Sequence, residues 1–215
     1  MMTEPDYVNI PEVTRMFASA GPGWAAQMER QRYSEPALVT AFLEWVLQKR
    51  VIEAPLLDLG CGSGLAAPGL RKFCRRLEGI DLSPSMLETA AATGLYDALH
   101  QGEAVPFLHS RMGFGGIVAS GVACFFSDLH PLFEAVEHAL QPGSPFVFTN
   151  DTLLGPGDVA ASPRSAVMYL HSVQHIAEAA RRARLQVLSY QRCTVRLDFR
   201  LGQPIDGAVT VLGKV

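Results

Sequence analysis

The sequence predicts an α/β fold: a seven-stranded, mostly parallel sheet with a C-terminal antiparallel hairpin and an N-terminal helical lid. A short apolar run at residues 56–59 leads into three glycines set two residues apart, which is typical of a buried strand followed by a tight turn. Apolar segments then alternate with helical patterns as far as residue 149, which favours a parallel sheet covered on both faces. We therefore expect a lid over residues 1–35 and one α/β domain over 36–215.

Composition and charge are those of a single globular domain. The chain has 215 residues, 48% of them hydrophobic, and a formal net charge of −3. Its dense basic cluster, residues 71–76, ends a predicted helix, where cations are favoured, so we expect no nucleic-acid partner. The four cysteines form no C-x-x-C pair, and we expect no metal. No leader or membrane-spanning segment is recognisable, which predicts a soluble, cytoplasmic protein without a membrane partner.

The N-terminal part contains two weakly amphipathic segments over residues 10–34, broken at Gly21-Pro22-Gly23. They are interpreted either as helices that cover the core or as a lid hinged at the Gly-Pro-Gly break, and the two hypotheses stand level. A helix follows from Pro36, because apolar residues recur from Leu38 to Val46 at helical spacing.

The glycine loop predicts a site for a nucleotide-type cofactor. Backbone that turns sharply beside a ligand needs residues without Cβ, and a helix over residues 65–76 would point its free N–H groups at that ligand. A second short strand, 77–81, ends in Asp81, and Ser83-Pro84 is typical of a helix start. A carboxylate about 20 residues beyond such glycines holds ribose hydroxyls in dinucleotide folds.

The remaining elements continue the alternation. Strands are predicted at 96–101, 115–121 and 145–149, with a helix around 132–140 before the last of them. A long loop, 150–165, precedes a predicted helix over 166–183, and the hairpin runs from Cys193 through a turn at 202–204.

These motifs resemble the class I S-adenosylmethionine-dependent methyltransferases, whose fold is Rossmann-like. Residues 57–64 resemble the family's first motif, 79–87 its second acidic motif, and 140–143 the turn before its fifth strand. The most similar types are the ubiquinone and menaquinone methyltransferases and the Williams–Beuren-region relatives. The resemblance implies S-adenosylmethionine as cofactor and S-adenosylhomocysteine as product.

The resemblance also implies a set of cofactor contacts. The glycines would lie against the methionine part, Asp81 would accept from the ribose hydroxyls, and the end of the fourth strand would lie beside the sulfonium. The position at the adenine edge is usually acidic in the family and is Gln101 here. The implied cofactor-binding residues are Asp58, Gly60, Cys61, Gly62, Gly64, Asp81, Leu82, Met86, Gln101, Gly102, Glu103, Ser120 and Gly121.

Methyl transfer needs alignment of two reactants in a partly desolvated pocket more than it needs a catalytic side chain. An oxygen nucleophile of high pKa would gain from a general base, for which His130 is the first candidate and His171 and His175 are alternatives. Candidate acceptor-binding residues are Trp24, Tyr33, Phe125 and Tyr169.

Three functions remain open at this point. The first is a methyltransferase that acts on O, N or C of a small metabolite, as a monomer or homodimer. The second is a protein that binds the cofactor without transferring a methyl group. The third is an NAD-dependent oxidoreductase, whose fingerprint would need glycine where Leu65 stands.

Overall fold

A computed structural model describes residues 7–18, 23–198 and 201–215. The helices in this part of the chain are α1 (Ile10–Ala18), α2 (Trp24–Arg30), α3 (Glu35–Leu47), α4 (Ala67–Leu70), α5 (Pro84–Ala92), α6 (Ala104–His109), α7 (His130–Ala139) and α8 (Val173–Arg182). The strands are β1 (Leu56–Leu59), β2 (Leu77–Asp81), β3 (Ala98–Gln101), β4 (Gly116–Ala119), β5 (Pro145–Asp151), β6 (Val159–Ala161), β7 (Tyr169–His171), β8 (Leu185–Leu197) and β9 (Pro204–Lys214).

Seven strands form one sheet in the order β3-β2-β1-β4-β5-β9-β8. Strands β1 to β5 pair in parallel, and β9 pairs antiparallel with both β5 and β8. This arrangement confirms the predicted fold class. The chain leaves β1 toward β2 on one side and returns as β4 on the other, and ligands of open α/β sheets bind at such a reversal.

The core lies on both faces of this sheet. One apolar cluster packs α6, α7 and α8 against one face, and a second packs α3 and α4 against the other. Strands β1, β4 and β5 are buried along their whole length, as expected for parallel strands covered on both sides.

Two helix predictions were wrong in their extent. The helix expected over 65–76 is the four-residue α4 followed by a 3-10 turn, because Pro68 and Gly69 disfavour a longer helix. The helix expected from residue 166 begins at Val173: Tyr169–His171 pairs with β6 instead, and Ser172 caps the helix by accepting from the His175 N–H over 3.1 Å.

Two further differences concern elements that the sequence analysis shortened or missed. The hairpin begins at Leu185 rather than near Cys193, and α6 has no predicted counterpart. In the lid segment, α1 and α2 flank the predicted Gly-Pro-Gly break, of which Gly21 and Pro22 lie outside the described residues.

Candidate active site

A cavity of about 550 Å³ opens at the carboxyl ends of β1, β2 and β4, beneath α1 and α2. One end is lined by the glycine loop and Asp81, and the other by aromatic and methionine side chains from α1, α2 and the segment after β4. Ser120 and Gly121, directly after β4, lie between the two ends. The cavity therefore occupies the place where the strand order reverses.

The glycine loop is held close to β2 and β4. The Cys61 N–H donates to the Ile80 carbonyl over 2.9 Å, and the Gly62 N–H donates to Asp81 Oδ2 over 2.8 Å. Gly60 has φ +68°, and a Cβ there would collide with Val122 Cγ2. Only glycine meets both conditions at this position.

Asp81 is shared between the loop and the start of α5. Its Oδ1 accepts from the Ser83 N–H over 2.9 Å, while Oδ2 accepts from Gly62. Each oxygen keeps acceptor capacity toward the cavity, since an ionised carboxylate has about four acceptor sites. Burial raises the pKa of Asp81, and the backbone N–H donors oppose that rise.

Asp58 lies beneath the loop and is 1% exposed. Its Oδ2 accepts from the Tyr96 hydroxyl over 2.6 Å. Burial raises the pKa of Asp58 to about 7, against the opposing effect of the Tyr96 hydrogen bond. A cationic group in the cavity would return this carboxyl to its ionised form.

The peptide group that joins Ser120 to Gly121 is held from both sides. The Tyr33 hydroxyl donates to the Ser120 carbonyl over 3.3 Å, and the Gly121 N–H donates to Thr149 Oγ1 over 2.8 Å. Thr149 in turn donates to Glu35 Oε2. The segment that leads from α2 into α3 thus fixes the end of β4.

A buried charged cluster lies behind this peptide and consists of Glu35, Arg196 and Asp151. The guanidinium of Arg196 contacts Glu35 Oε1 over 2.5 Å and Asp151 Oδ2 over 2.7 Å. Burial raises the pKa of both carboxyls, and Arg196 opposes that rise. Burial by itself would lower the pKa of Arg196, but the two carboxylates raise it above its ordinary value. Of the three, Glu35 and Arg196 line the cavity.

The far end of the cavity is apolar. The Phe17 ring packs edge-on against Trp24 and Phe125, with centroids 5.4 and 5.6 Å apart. Tyr7 stacks on Phe126 at 6.0 Å, and the Ser127 N–H donates to the Tyr7 carbonyl over 2.8 Å. The start of the described chain is thereby fixed to the segment after β4.

The candidate histidine bases lie outside the cavity lining. His130 begins α7, and its backbone N–H donates to Asp128. His171 Nε2 donates to the Phe126 carbonyl over 2.7 Å, and burial lowers the pKa of His171 to about 4. His175 Nε2 accepts from the Leu129 N–H over 3.3 Å. These contacts give His171 and His175 a structural role for the segment after β4.

The structure brings twelve of the predicted site residues to the cavity wall: Trp24, Tyr33, Asp58, Gly60, Cys61, Gly62, Asp81, Leu82, Gly102, Ser120, Gly121 and Phe125. Six others lie elsewhere. Met86 is buried in α5, Gln101 is exposed, and Tyr169 lies half-buried on β7. Gly64 lies against Tyr96, Glu103 precedes α6, and His130 begins α7.

The sequence analysis missed the charged cluster because Asp151 and Arg196 lie 116 and 161 positions after Glu35 in the chain. No local sequence pattern predicts an ion pair between the start of α3 and the end of β8. It also passed over Ser63, a buried residue of the cavity wall whose Oγ has no hydrogen-bond partner. Ser63 lies within the motif at residues 57–64, so its position in the glycine loop could have identified it as a site residue.

None of the helices within 7–18, 23–198 and 201–215 has the length and apolar character to cross a membrane. Over the same ranges, no group of three or more His, Cys, Asp or Glu side chains is placed to hold a metal ion.

Comparison with known proteins finds a family model that matches the central part of the chain. Residues 57–148 match the family model described as a methyltransferase domain. The biotin biosynthesis bifunctional protein BioHC of Saccharophagus degradans is 27% identical over 154 residues, and the human methyltransferase-like protein 27 is 43% identical over 68. The matches span 69% and 31% of this chain, but only 25% and 28% of those two proteins.

Solved structures share the fold at low identity. The 1,6-didemethyltoxoflavin-N1-methyltransferase of Burkholderia thailandensis superposes with a TM-score of 0.74 at 18% identity, covering 99% of this chain and 93% of that one. The geranyl diphosphate C-methyltransferase of Streptomyces coelicolor gives 0.65 at 17%, covering 83% and 80%. The sheet order, the glycine loop and the methyltransferase domain matched over residues 57–148 together support a class I S-adenosylmethionine-dependent methyltransferase.

Proposed function

We propose that this methyltransferase uses S-adenosylmethionine to methylate O, N or C of a small, largely apolar metabolite. One observation supports this more than any other. A continuous cavity joins the glycine loop and Asp81 to an aromatic chamber, and the Ser120–Gly121 peptide lies between them. Such a cavity has room for a donor at one end and an acceptor at the other.

The residues at the first end fit the cofactor. Gly60 allows close approach of the backbone, Asp81 keeps acceptor sites for ribose hydroxyls, and the Ser63 hydroxyl needs a partner. The proposed contacts from the cavity wall are Asp58, Gly60, Cys61, Gly62, Ser63, Asp81, Leu82, Gly102, Ser120 and Gly121.

When bound, the cofactor supplies a methyl group activated by its positively charged sulfur. The chain's own contribution is alignment and exclusion of water. The clamped Ser120–Gly121 peptide gives the junction between the two ends a fixed shape, and the aromatic wall keeps water from the acceptor. His130 does not line the cavity, so this proposal does not assign the acceptor's proton to it.

The aromatic chamber favours an apolar or planar compound as the methyl acceptor. Trp24 and Phe125 offer ring faces and edges, and the Tyr33 hydroxyl provides a polar contact near the junction. The 1,6-didemethyltoxoflavin-N1-methyltransferase, which aligns over nearly the whole chain, acts by its name on 1,6-didemethyltoxoflavin. An aromatic or heterocyclic acceptor is therefore the first class to test.

The competing hypotheses differ in what they bind and turn over. The oxidoreductase hypothesis loses support because the matched model over residues 57–148 is a methyltransferase domain. The non-catalytic hypothesis predicts cofactor binding without transfer. The ubiquinone or menaquinone subtype, the cytoplasmic location and the monomer or homodimer state stay predictions.

The experiment is methyl transfer from S-adenosylmethionine carrying a labelled methyl group to a panel of small aromatic and heterocyclic metabolites. We expect label in one or a few members of the panel and an equal amount of S-adenosylhomocysteine. An Asp81→Asn variant serves as the control for background transfer. Saturable cofactor binding with no transfer to any compound would favour the non-catalytic hypothesis.

A further inference from the structure

The charged cluster behind the Ser120–Gly121 peptide has two carboxylates and one guanidinium. Glu35 is 1% exposed and Asp151 is 1% exposed. Arg196 contacts both carboxylates, so their ionised forms leave one negative charge in excess. A surplus charge in a desolvated place is costly unless a counter-charge lies nearby.

The neighbouring groups that we can describe do not supply that counter-charge. Tyr33 and Cys124 face the cluster as neutral groups, because burial raises the pKa of each. Arg164 acts on Asp151 from a distance, but its own ion-pair partner is Asp198, at 3.4 Å. Burial raises the pKa of both Glu35 and Asp151 in spite of Arg196, as expected where positive charge is short.

The surplus charge lies beside the Ser120–Gly121 peptide, between the two ends of the cavity. Glu35 Oε2 is 3.3 Å from the point that a Cβ on Gly121 would occupy, and Glu35 and Gly121 both line the cavity. Thr149 links the two, accepting from the Gly121 N–H and donating to Glu35. A cation at the end of β4 would therefore lie close to the cluster.

We infer that the Glu35–Arg196–Asp151 cluster selects a cation at the end of β4, and so favours the sulfonium of S-adenosylmethionine over the neutral thioether of S-adenosylhomocysteine. This inference rests on the proposed function, which puts the cofactor in this cavity. Its consequence is release of the spent cofactor: loss of the methyl group removes the positive charge that the cluster attracts. The three residues thus determine specificity between the cofactor and its demethylated product.

The test is the ratio of two dissociation constants, measured by calorimetry without any acceptor. Asp151→Asn keeps an oxygen for Arg196 but removes the surplus charge. We expect the Kd of S-adenosylhomocysteine divided by that of S-adenosylmethionine to fall by about five- to thirtyfold, for one charge at about 8 Å and an effective dielectric constant of 20–40. Sinefungin, which has an ammonium group near the position of the methyl, should follow the cationic cofactor.

Glu88→Gln is the matched control, because it removes one negative charge from an exposed site on α5. Its ratio should stay within twofold of the wild-type value. If Asp151→Asn does not fold, Glu35→Gln makes the same charge change from α3 and should lower the ratio in the same way.

Equal weakening of both compounds in Asp151→Asn or Glu35→Gln, or an unchanged ratio, would overturn the inference while leaving the proposed function standing. A wild-type chain that binds neither compound would overturn both.

Discussion

The backbone N–H of Gly62 donates to Asp81 Oδ2 over 2.8 Å, which joins the loop after β1 to the end of β2. The two residues are 19 positions apart in the chain. The same carboxylate also accepts from Ser83 at the start of α5. Asp81 therefore shapes the glycine loop as well as offering oxygen atoms to the cavity.

Asp81→Asn should weaken S-adenosylmethionine binding by about 10- to 100-fold. The amide can accept from only one of the two N–H donors that Asp81 now serves, and hydrogen bonds to a charged group contribute about 1.5–3 kcal/mol. Titration calorimetry measures the change. Glu134→Gln, an exposed charge change on α7, should leave the Kd within twofold. An Asp81→Asn Kd equal to that of the wild type would remove Asp81 from the binding site.

Gly60→Ala should destabilise the chain more than Gly94→Ala. Both glycines have positive φ, +68° and +66°, but a Cβ at Gly60 would collide with Val122, whereas nothing lies within 4 Å of one at Gly94. Backbone strain alone costs roughly 1 kcal/mol in the free energy of unfolding. We expect about that loss for Gly94→Ala and a distinctly larger one for Gly60→Ala, measured by urea unfolding.

The double variant Gly60→Ala with Val122→Ala separates the two causes. It removes the colliding methyl group, so it should recover the part of the loss that exceeds backbone strain. Equal losses at Gly60 and Gly94 would show that close approach to Val122 has no part in the effect.

Asp58 should make the free energy of unfolding depend on pH. Burial raises the pKa of Asp58 to about 7 in the folded chain, so folding favours its protonated form. This stabilising contribution is complete below the unfolded pKa of about 4 and is lost as the pH rises through 7. Relative to Asp58→Asn, the wild type should lose up to about 1.4 kcal/mol per pH unit across that interval.

Urea unfolding at four pH values from 4.5 to 7.5 measures this difference. Tyr96→Phe removes the hydrogen bond that lowers the pKa of Asp58, so it should move the end of the loss to higher pH. A difference between wild type and Asp58→Asn that stays flat with pH would contradict the assignment.

Tyr33 and His130 give opposite expectations for turnover, once an acceptor is found. Tyr33→Phe removes the donor to the Ser120 carbonyl, and a neutral hydrogen bond contributes about 0.5–1.5 kcal/mol. We expect a roughly two- to tenfold lower kcat with a cofactor Kd within twofold. His130→Ala should leave kcat near wild type because His130 does not line the cavity. A large loss in His130→Ala would restore the sequence-based hypothesis of a histidine base.

Local sequence patterns correctly predicted β1, the glycine loop and the start of α5. The run 56–59 is a buried strand followed by glycines with positive φ, and Ser83 caps α5 as expected. The helix predicted from residue 166 begins only after its cap, Ser172. Residues 169–171 form β7 instead, because they pair with β6 about ten positions earlier in the chain, which the local pattern does not indicate. Tertiary pairing overrides local propensity in such segments.

The site residues likewise divide into those that local sequence patterns predict and those that they do not. Its cofactor end comes from two short motifs, so sequence analysis could place Gly60, Gly62 and Asp81 on the cavity wall. Glu35, Asp151 and Arg196 come from three distant segments, and each alone has the pattern of an ordinary surface charge. The antiparallel pairing of β9 with β5 and β8 brings Asp151 and Arg196 together, and the hydrogen bond from the Ser34 N–H to the Val195 carbonyl brings the start of α3 to them.

Calorimetric titration of the wild-type chain tests the central claim most directly. S-adenosylmethionine and S-adenosylhomocysteine should each bind at one site per chain with saturable heat, and NAD should give none under the same conditions. Absence of saturable binding for both adenosyl compounds, in a chain that unfolds cooperatively, would contradict the account.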